Sequence, residues 1–374
     1  MKLVSLRCSS FRNLASGSIH WLEGTNLIVG GNGEGKTSLL EAIAVLGNLR
    51  SFRTRSMRRV VRHGAGSFCL EGEIRIAHRR TLLRQLVEVG PPLRRELAVN
   101  GTDVSAAQYL QVFPIFAMSP ADGELAVGEP PLRRAFLDRL AFLLDAEVYE
   151  HLRRFRRALS QRNAALRNGA DDQDEVWEDA LARVSAKVVA FRRRTAQRLA
   201  GSFETLYERL RGVTFPPISL SYRCEPWCEG EGDEEELVRR LSRRLAATRS
   251  RDRGLGFTAE GPHRHDLALR TEGCSVRHLL SSGQLKVVAS ALRMAALQEV
   301  EKERGARLPV IIDDVDSQLD PETMGRLAAL IGVERQVFLS TAHGELVTRT
   351  LSPTVELWMR QGSCIHAVSG GEIA

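Results

Sequence analysis

The chain has 374 residues, of which 43% are hydrophobic, and carries a formal net charge of +7 with a pI near 9.4. That is ample material for a core, yet no stretch approaches the apolar length that crosses a bilayer, and residues 1–12 lack the apolar middle of a signal peptide; a membrane span is excluded and a cytoplasmic protein expected. Only five of the 53 basic residues are lysine, an arginine excess that a GC-rich coding sequence would also produce, so composition only mildly favours a polyanionic partner.

Residues 4–9, 18–23 and 26–29 read as short strands. The third runs into Gly30, Gly31, Asn32, Gly33, Glu34, Gly35, Lys36 and Thr37, followed by a helix-like stretch over 38–47. This is the pattern G-x-x-x-x-G-K-[ST], in which each fixed position has a physical task. Glycines let successive amides turn inward on a phosphate. Lys36 can reach the outer phosphates, Thr37 can offer its hydroxyl to Mg2+, and the positive end of the following helix favours the anion. The predicted ligand is a nucleoside triphosphate with Mg2+.

Six arginines, Arg50, Arg53, Arg55, Arg58, Arg59 and Arg62, then fall within thirteen residues, with Phe52 and Met57 among them. They form the densest basic patch beside the nucleotide and are candidate DNA contacts, the alternative being a solvated loop. Residues 68–76 and 81–89 look like paired strands, and 97–99 followed by Asn100-Gly101 carries a hairpin signal. A strand is expected over 112–118, then Ser119-Pro120-Ala121-Asp122, and Pro130-Pro131 marks a helix start. Residues 132–167 and 175–211 have the apolar spacing of two long helices, with 168–174 as their hairpin loop, which makes a short helical arm. A strand over 215–222, an acidic run over 229–236 and a helix over 234–247 follow.

The six cysteines are mostly isolated and read as reduced thiols. Cys224 and Cys228 are one spacer residue too far apart for a C-x-x-C pair, and no second pair completes a zinc set. His263, His265 and Asp266 alternate in an extended run after Gly261-Pro262, which reads as a structural turn. Leu280-Ser281-Ser282-Gly283-Gln284 precedes a long apolar helix over 285–303, so Ser281 and Gly283 stand at a helix start that is both an N-cap and an anion site. The apolar run 308–312 ends in Asp313-Asp314, where carboxylates lie at the mouth of an open parallel sheet. Asp313 would position Mg2+, and Asp314 would orient or deprotonate the attacking water. A strand over 336–340 ends near Thr341 and His343, and 355–360 and 364–368 finish the sheet.

The phosphate loop, Leu-Ser-Ser-Gly-Gln, the run ending Asp313-Asp314, Ser317-Gln318-Leu319-Asp320 and His343 together resemble the full set of an ABC-type ATPase, and the helical insertion points to its SMC-like branch. Phe11-Arg12-Asn13-Leu14, the stretch 47–54, the stretch 119–138, Gln161-Arg162-Asn163, Gly261-Pro262-His263-Arg264 and Asp313-Asp314-Val315 are similar, nearly end to end, to the RecF family of bacterial recombination mediators.

The resemblance implies an α/β fold: an ABC-type ATPase head of mixed sheet and helices with an inserted helical lobe. ATPase lobe I would span 1–125, the helical arm and signature lobe II 126–308, and the return to the ATPase sheet 309–374. It implies a head-to-tail, ATP-dependent homodimer in which Ser281 and Gly283 of one subunit meet the nucleotide held by Lys36 of the other, with His343 also at the nucleotide. The partners implied are single-stranded and gapped duplex DNA, RecR and RecO, with RecA loading in repair, replication restart and SOS induction. Ser282 at the third signature position and Asp314 in place of the glutamate usual in transporters are departures from the ABC pattern, and the shorter carboxylate implies a slow ATPase used as a switch. No glutamine stands at 119–122, where ABC proteins carry a nucleotide-sensing one. A transporter subunit would need a membrane partner, which the arm and basic loop argue against, and a nuclease would need a second carboxylate cluster.

Overall fold

Thr25–Val29 is a five-residue strand whose last four residues are buried, as expected of a strand covered on both faces. It lies inside a six-stranded sheet ordered Ser363–Ser369, Val355–Arg360, Thr25–Val29, Val337–Thr341, Val310–Ile312, Phe116–Met118. Every neighbouring pair is parallel except the hairpin formed by the first two strands. The carboxyl ends of the parallel strands therefore gather along one side of the sheet. Residues 30–37, 119–122, 313–314 and 342–343 all leave it there, where open α/β sheets bind ligands. The computed structural model describes residues 1–168, 174–212, 215–228, 233–318, 320–332 and 334–369.

The helix Lys36–Asn48 buries twelve of its thirteen residues. A helix covered all round must have partners on both faces. One face packs on Val337–Thr341, and the other on the strands Ser67–Ile76 and Arg79–Glu88. Those two belong to a second, antiparallel sheet ordered Gly17–His20, Lys2–Ser9, Ser67–Ile76, Arg79–Glu88, Arg94–Val99, Thr102–Asp103. Leu39, Ile43 and Leu46 of the helix join Leu3, Leu70 and Leu83 on one side and Ile311 and Phe338 on the other in a single core. Each such side chain contributes about 1.5–3 kcal/mol of burial.

The chain divides into two compact units: Met1–Gly123, Arg209–Phe215 and Ser281–Ala374 in one, Glu124–Glu208 and Pro216–Leu280 in the other. This differs from the sequence-based division at its second boundary. The helix Ser282–Arg304 belongs with the first unit because it packs on Phe116–Met118, and its Arg293 pairs with Asp122 at 2.7 Å.

The second unit carries the helices Pro130–Leu144, Val148–Asn168, Glu234–Leu255 and most of the 37-residue Asp174–Leu210, about 55 Å long, together with a sheet ordered Cys274–Ser275, Asp266–Thr271, Ser219–Arg223. Where one helix was expected over 132–167 there are two. Asp145 Oδ1 accepts the Glu147 amide at 3.0 Å, a local turn that competes with helix. The strand expected over 112–118 is shorter than predicted: the helix Ala106–Val112, opened by a reciprocal Ser105–Gln108 capping box, takes its beginning, and only Phe116–Met118 is strand. Residues 169–173 of the expected hairpin loop, 229–232 of the acidic run and Leu319 lie outside the described residues.

Buried arginines tie these helices together. Arg162, 1% exposed, donates to Asp252 at 2.9 Å, Thr258 at 2.8 Å and Glu178 at 3.3 Å. Arg192 makes a two-pronged pair with Asp138 at 2.7 and 2.9 Å. Arg133 does the same with Asp266 at 2.8 Å on both prongs, so Asp266, one of the three alternating polar residues of 263–266, is spent on an ion pair.

Candidate nucleotide site

Residues 30–37 join the strand Thr25–Val29 to the helix Lys36–Asn48. Gly35 caps that helix at φ +106°, a conformation that side chains resist, and contributes no side-chain oxygen, so the first amides of the helix stay open toward the loop. The Lys36 ammonium folds over the loop and donates to the carbonyls of Gly30 at 2.8 Å and Gly31 at 3.0 Å. Lys36 and Thr37 face a cavity of about 720 Å³ lined also by Arg12, Asn13, Asn32, Gly33, Arg53, Arg59, Arg62 and Asp314.

Asp313 follows directly on Val310–Ile312 and is buried, 4% exposed. Its backbone amide donates to the Met118 carbonyl at 2.9 Å, and its Oδ1 accepts the Ser340 hydroxyl at 2.7 Å. Burial pushes the Asp313 carboxyl above its ordinary value, opposed by hydrogen bonds from Ser340 and Thr37. Asp313 and Thr37, assigned separately along the chain to one Mg2+, are thus brought side by side. A buried carboxylate and a hydroxyl are the hard oxygen donors that ion prefers. Asp314 sits at φ +55°, unusual for a non-glycine residue, with its amide held by Ser340 Oγ at 2.8 Å. That strained backbone turns the second carboxylate into the cavity while the first stays buried.

The other predicted residues lie apart from this cavity. Ser281 caps the 23-residue helix Ser282–Arg304: its hydroxyl accepts the Gln284 amide at 3.3 Å, and Gln284 Oε1 accepts the Ser281 amide at 2.9 Å. A side chain added at Gly283 would meet only Ser281 Oγ, 4.0 Å away, so this end is open. His343 is exposed, and its Nδ1 pairs with Asp316 Oδ2 at 2.7 Å. Burial opposes ionisation of Asp316, but hydrogen bonds from His343 and Thr341 hold its carboxyl below its ordinary value.

Among the arginines, Arg50, Arg53, Arg55, Arg58 and Arg59 are exposed. Arg58 donates to the Gly90 carbonyl at 2.7 Å, and Arg62 is half-buried with its guanidinium on the Leu14 carbonyl. A second hollow of about 570 Å³, lined by Arg58 and sharing Arg12, Arg59, Arg62 and His63 with the first, continues the basic surface away from the loop.

Residues 2–366 match the family described as RecF/RecN/SMC N terminal domain. The DNA replication and repair protein RecF of Anaeromyxobacter sp. (strain Fw109-5) is 34% identical over 367 residues, covering 98% of this chain and 99% of its own length. That of Erwinia tasmaniensis is 33% identical, covering 93% of each. The chain belongs to the RecF family. Of solved structures, that of the recombination mediator protein RecF with ATP in the RecFOR pathway superposes with a TM-score of 0.88 at 25% identity, covering 98% of this chain and 97% of that one. An SmcHead bound to the C-winged helix domain of ScpA superposes at 0.56 with 16% identity and shares the fold. Among the described residues, no helix is long and apolar enough to cross a membrane.

This RecF-family site also contains side chains to which sequence reasoning gave no role. Glu41, fully buried in the helix after the phosphate loop, takes both prongs of Arg12 at 2.8 Å, the Ser51 hydroxyl and Arg53 at 3.6 Å. One carboxylate thereby aims two cavity-lining arginines. Asn13 donates to the Gly33 carbonyl at 3.0 Å and steadies the loop from outside. Phe11-Arg12-Asn13-Leu14 was visible as a resemblance, but nothing local signals that Glu41, 29 residues on, is its partner.

Proposed function

We propose that this chain is an ATP-dependent DNA-binding recombination mediator. It would work with RecR, and through RecO, to load RecA at single-stranded gaps during repair and replication restart. The observation that carries the reading is the meeting of Thr37 and Asp313 beside a cavity that also holds Lys36, Asp314 and a run of arginines. The relatives' name, DNA replication and repair protein, and the ATP-bound RecF structure support it.

In this reading the loop amides and Lys36 bind the phosphates. Thr37 and Asp313 hold Mg2+, which when bound neutralises phosphate charge. Asp314 orients the attacking water. Arg12 and Arg53, aimed by Glu41, lie where nucleotide and DNA charge would approach together. The exposed Arg55, Arg58 and Arg59 extend that surface toward the duplex.

Asp314→Asn keeps Thr37 and Asp313 and removes only the carboxylate on the cavity. It should bind ATP normally, hydrolyse it about a hundredfold or more slowly, and stay longer on gapped DNA. The measurement is single-turnover hydrolysis beside dissociation from gapped duplex with ATP. Hydrolysis at the unmutated rate would remove Asp314 from the chemistry, and equal lifetimes on DNA would remove the switch.

Ser281 and Gly283 do not line their own chain's nucleotide cavity, and their helix start is open. In the proposed function they complete the site of a second copy, where a helix N-terminus favours a phosphate. Ser281→Arg adds charge and bulk to that face. ATP affinity of the monomer should stay within about twofold while ATP-dependent dimerisation is lost, read by sedimentation with ATP. A mutant that still dimerises would show that another surface closes the dimer.

A further inference from the structure

The turn holding Cys224 and Cys228, and that holding His263 and His265, are separate in sequence and neither suffices for a metal. The fold joins them. Glu225, Cys228 and His265 each offer a donor atom, and the three atoms lie within 4.8 Å of one another. Cys228 and His265 are buried, 1% and 2% exposed.

Cys228 Sγ is 3.9 Å from His265 Nε2. A tetrahedral zinc with Zn–S of about 2.3 Å and Zn–N of about 2.05 Å sets those atoms about 3.6 Å apart, so the pair is already near ligand spacing. Glu225 Oε2 is buried and 2.5 Å from the same nitrogen, but lacks a hydrogen-bond partner of proper alignment. A buried carboxylate oxygen left in that condition is costly unless a cation takes it.

The surroundings hold these groups as outer partners hold metal ligands. The Tyr222 hydroxyl lies 2.5 Å from His265 Nδ1, which leaves Nε2 turned toward Cys228 and Glu225. The Gly261 amide donates to Glu225 Oε1 at 3.0 Å, and the Cys228 amide to the Glu225 carbonyl at 2.9 Å. The Cys224 side chain lies beside that of Cys228. Asp266 and His263 are occupied elsewhere, the first by Arg133 and the second by the Thr258 carbonyl at 2.9 Å.

We propose that Glu225, Cys228 and His265 form a structural zinc site in the second unit, pinning the turn before the helix Glu234–Leu255 to the strand Asp266–Thr271. The site stands apart from the nucleotide loop, and its test does not depend on ATP. Full-length protein, reduced and stripped of metal, is titrated with Co2+ and then Zn2+ without oxygen.

One equivalent of Co2+ should give the visible bands of a tetrahedral thiolate complex, Zn2+ should displace it stoichiometrically, and the melting temperature should rise with metal. Cys228→Ser and His265→Asn should each weaken binding by about a hundredfold or more, and Cys274→Ser, at an exposed cysteine, should leave it unchanged. Should a ligand variant fail to fold, the unmutated titration still decides. No binding tighter than micromolar, an octahedral cobalt spectrum, or a Cys224–Cys228 disulfide in a protein that takes up no metal after reduction would each overturn the proposal.

Discussion

Lys36→Ala is expected to weaken ATP binding by roughly a hundredfold or more while the melting temperature stays within a degree or two. The lysine's contacts in the described structure are two loop carbonyls, not core side chains, so the fold loses little with it. What is lost is an ammonium at the phosphates. Hydrogen bonds from a charged donor are worth about 1.5–3 kcal/mol each, and two of them account for a factor of that size. Isothermal titration with a slowly hydrolysed ATP analogue, beside a thermal melt, checks both halves. Unchanged nucleotide affinity would take the phosphates away from residues 30–37.

Arg162→Ala should be the most damaging single change outside the nucleotide site. The guanidinium is enclosed with Asp252, 0% exposed at its side chain, and Glu178, 5% exposed. Removing it leaves buried carboxylates with too little positive charge, although Arg249 still reaches Glu178 at 2.7 Å. A buried pair broken on one side costs about 3–5 kcal/mol. Urea denaturation should show that loss, and adding Asp252→Asn to the mutant should recover part of it because the stranded charge goes too. A loss below about 1 kcal/mol would mean that water or Arg249 compensates, and that the cluster is not what joins these helices.

The nucleotide loop, the capped helix after Ser281 and the Asp313-Asp314 pair were legible because their chemistry demands fixed residues at short spacing. The central strands were legible from their apolar runs. Less legible were features settled by distant partners. Glu41 reads as an ordinary polar residue on a helix until Arg12 and Ser51 are brought to it. Ser340 looks like the end of a strand, yet its hydroxyl fixes both aspartates, accepting from one amide and donating to the other carboxylate. His265 reads as part of a structural turn because it alternates with His263 and Asp266 in an extended run, whereas its spatial neighbours come from a turn some forty residues earlier. Two misses had local signals. Ser105 and Gln108 make a capping box that foretells the helix running up to Val112, where the strand was expected to begin, and Asp145 two residues before Glu147 foretells the break in the first long helix.

The strand that delivers the phosphate loop has a neighbour on each side, Val337–Thr341 and Val355–Arg360, and both lie far along the sequence from it. The tip of the last hairpin reaches further. The Gly362 amide donates to the Glu34 carbonyl at 2.9 Å, Gln361 meets the Glu34 carboxylate, and a Cβ on Gly362 would stand 1.9 Å from the Asn13 carbonyl oxygen. On the ribosome, then, the loop is made long before the segments that brace it. A nascent chain paused at residue 330 has both aspartates and the signature helix, but an unpaired central strand and no floor under the loop. Such long-range pairing closes late and slowly. Nucleotide capture is thereby expected only once residues 337–362 have been made, and a fragment that stops before them should not compete for ATP.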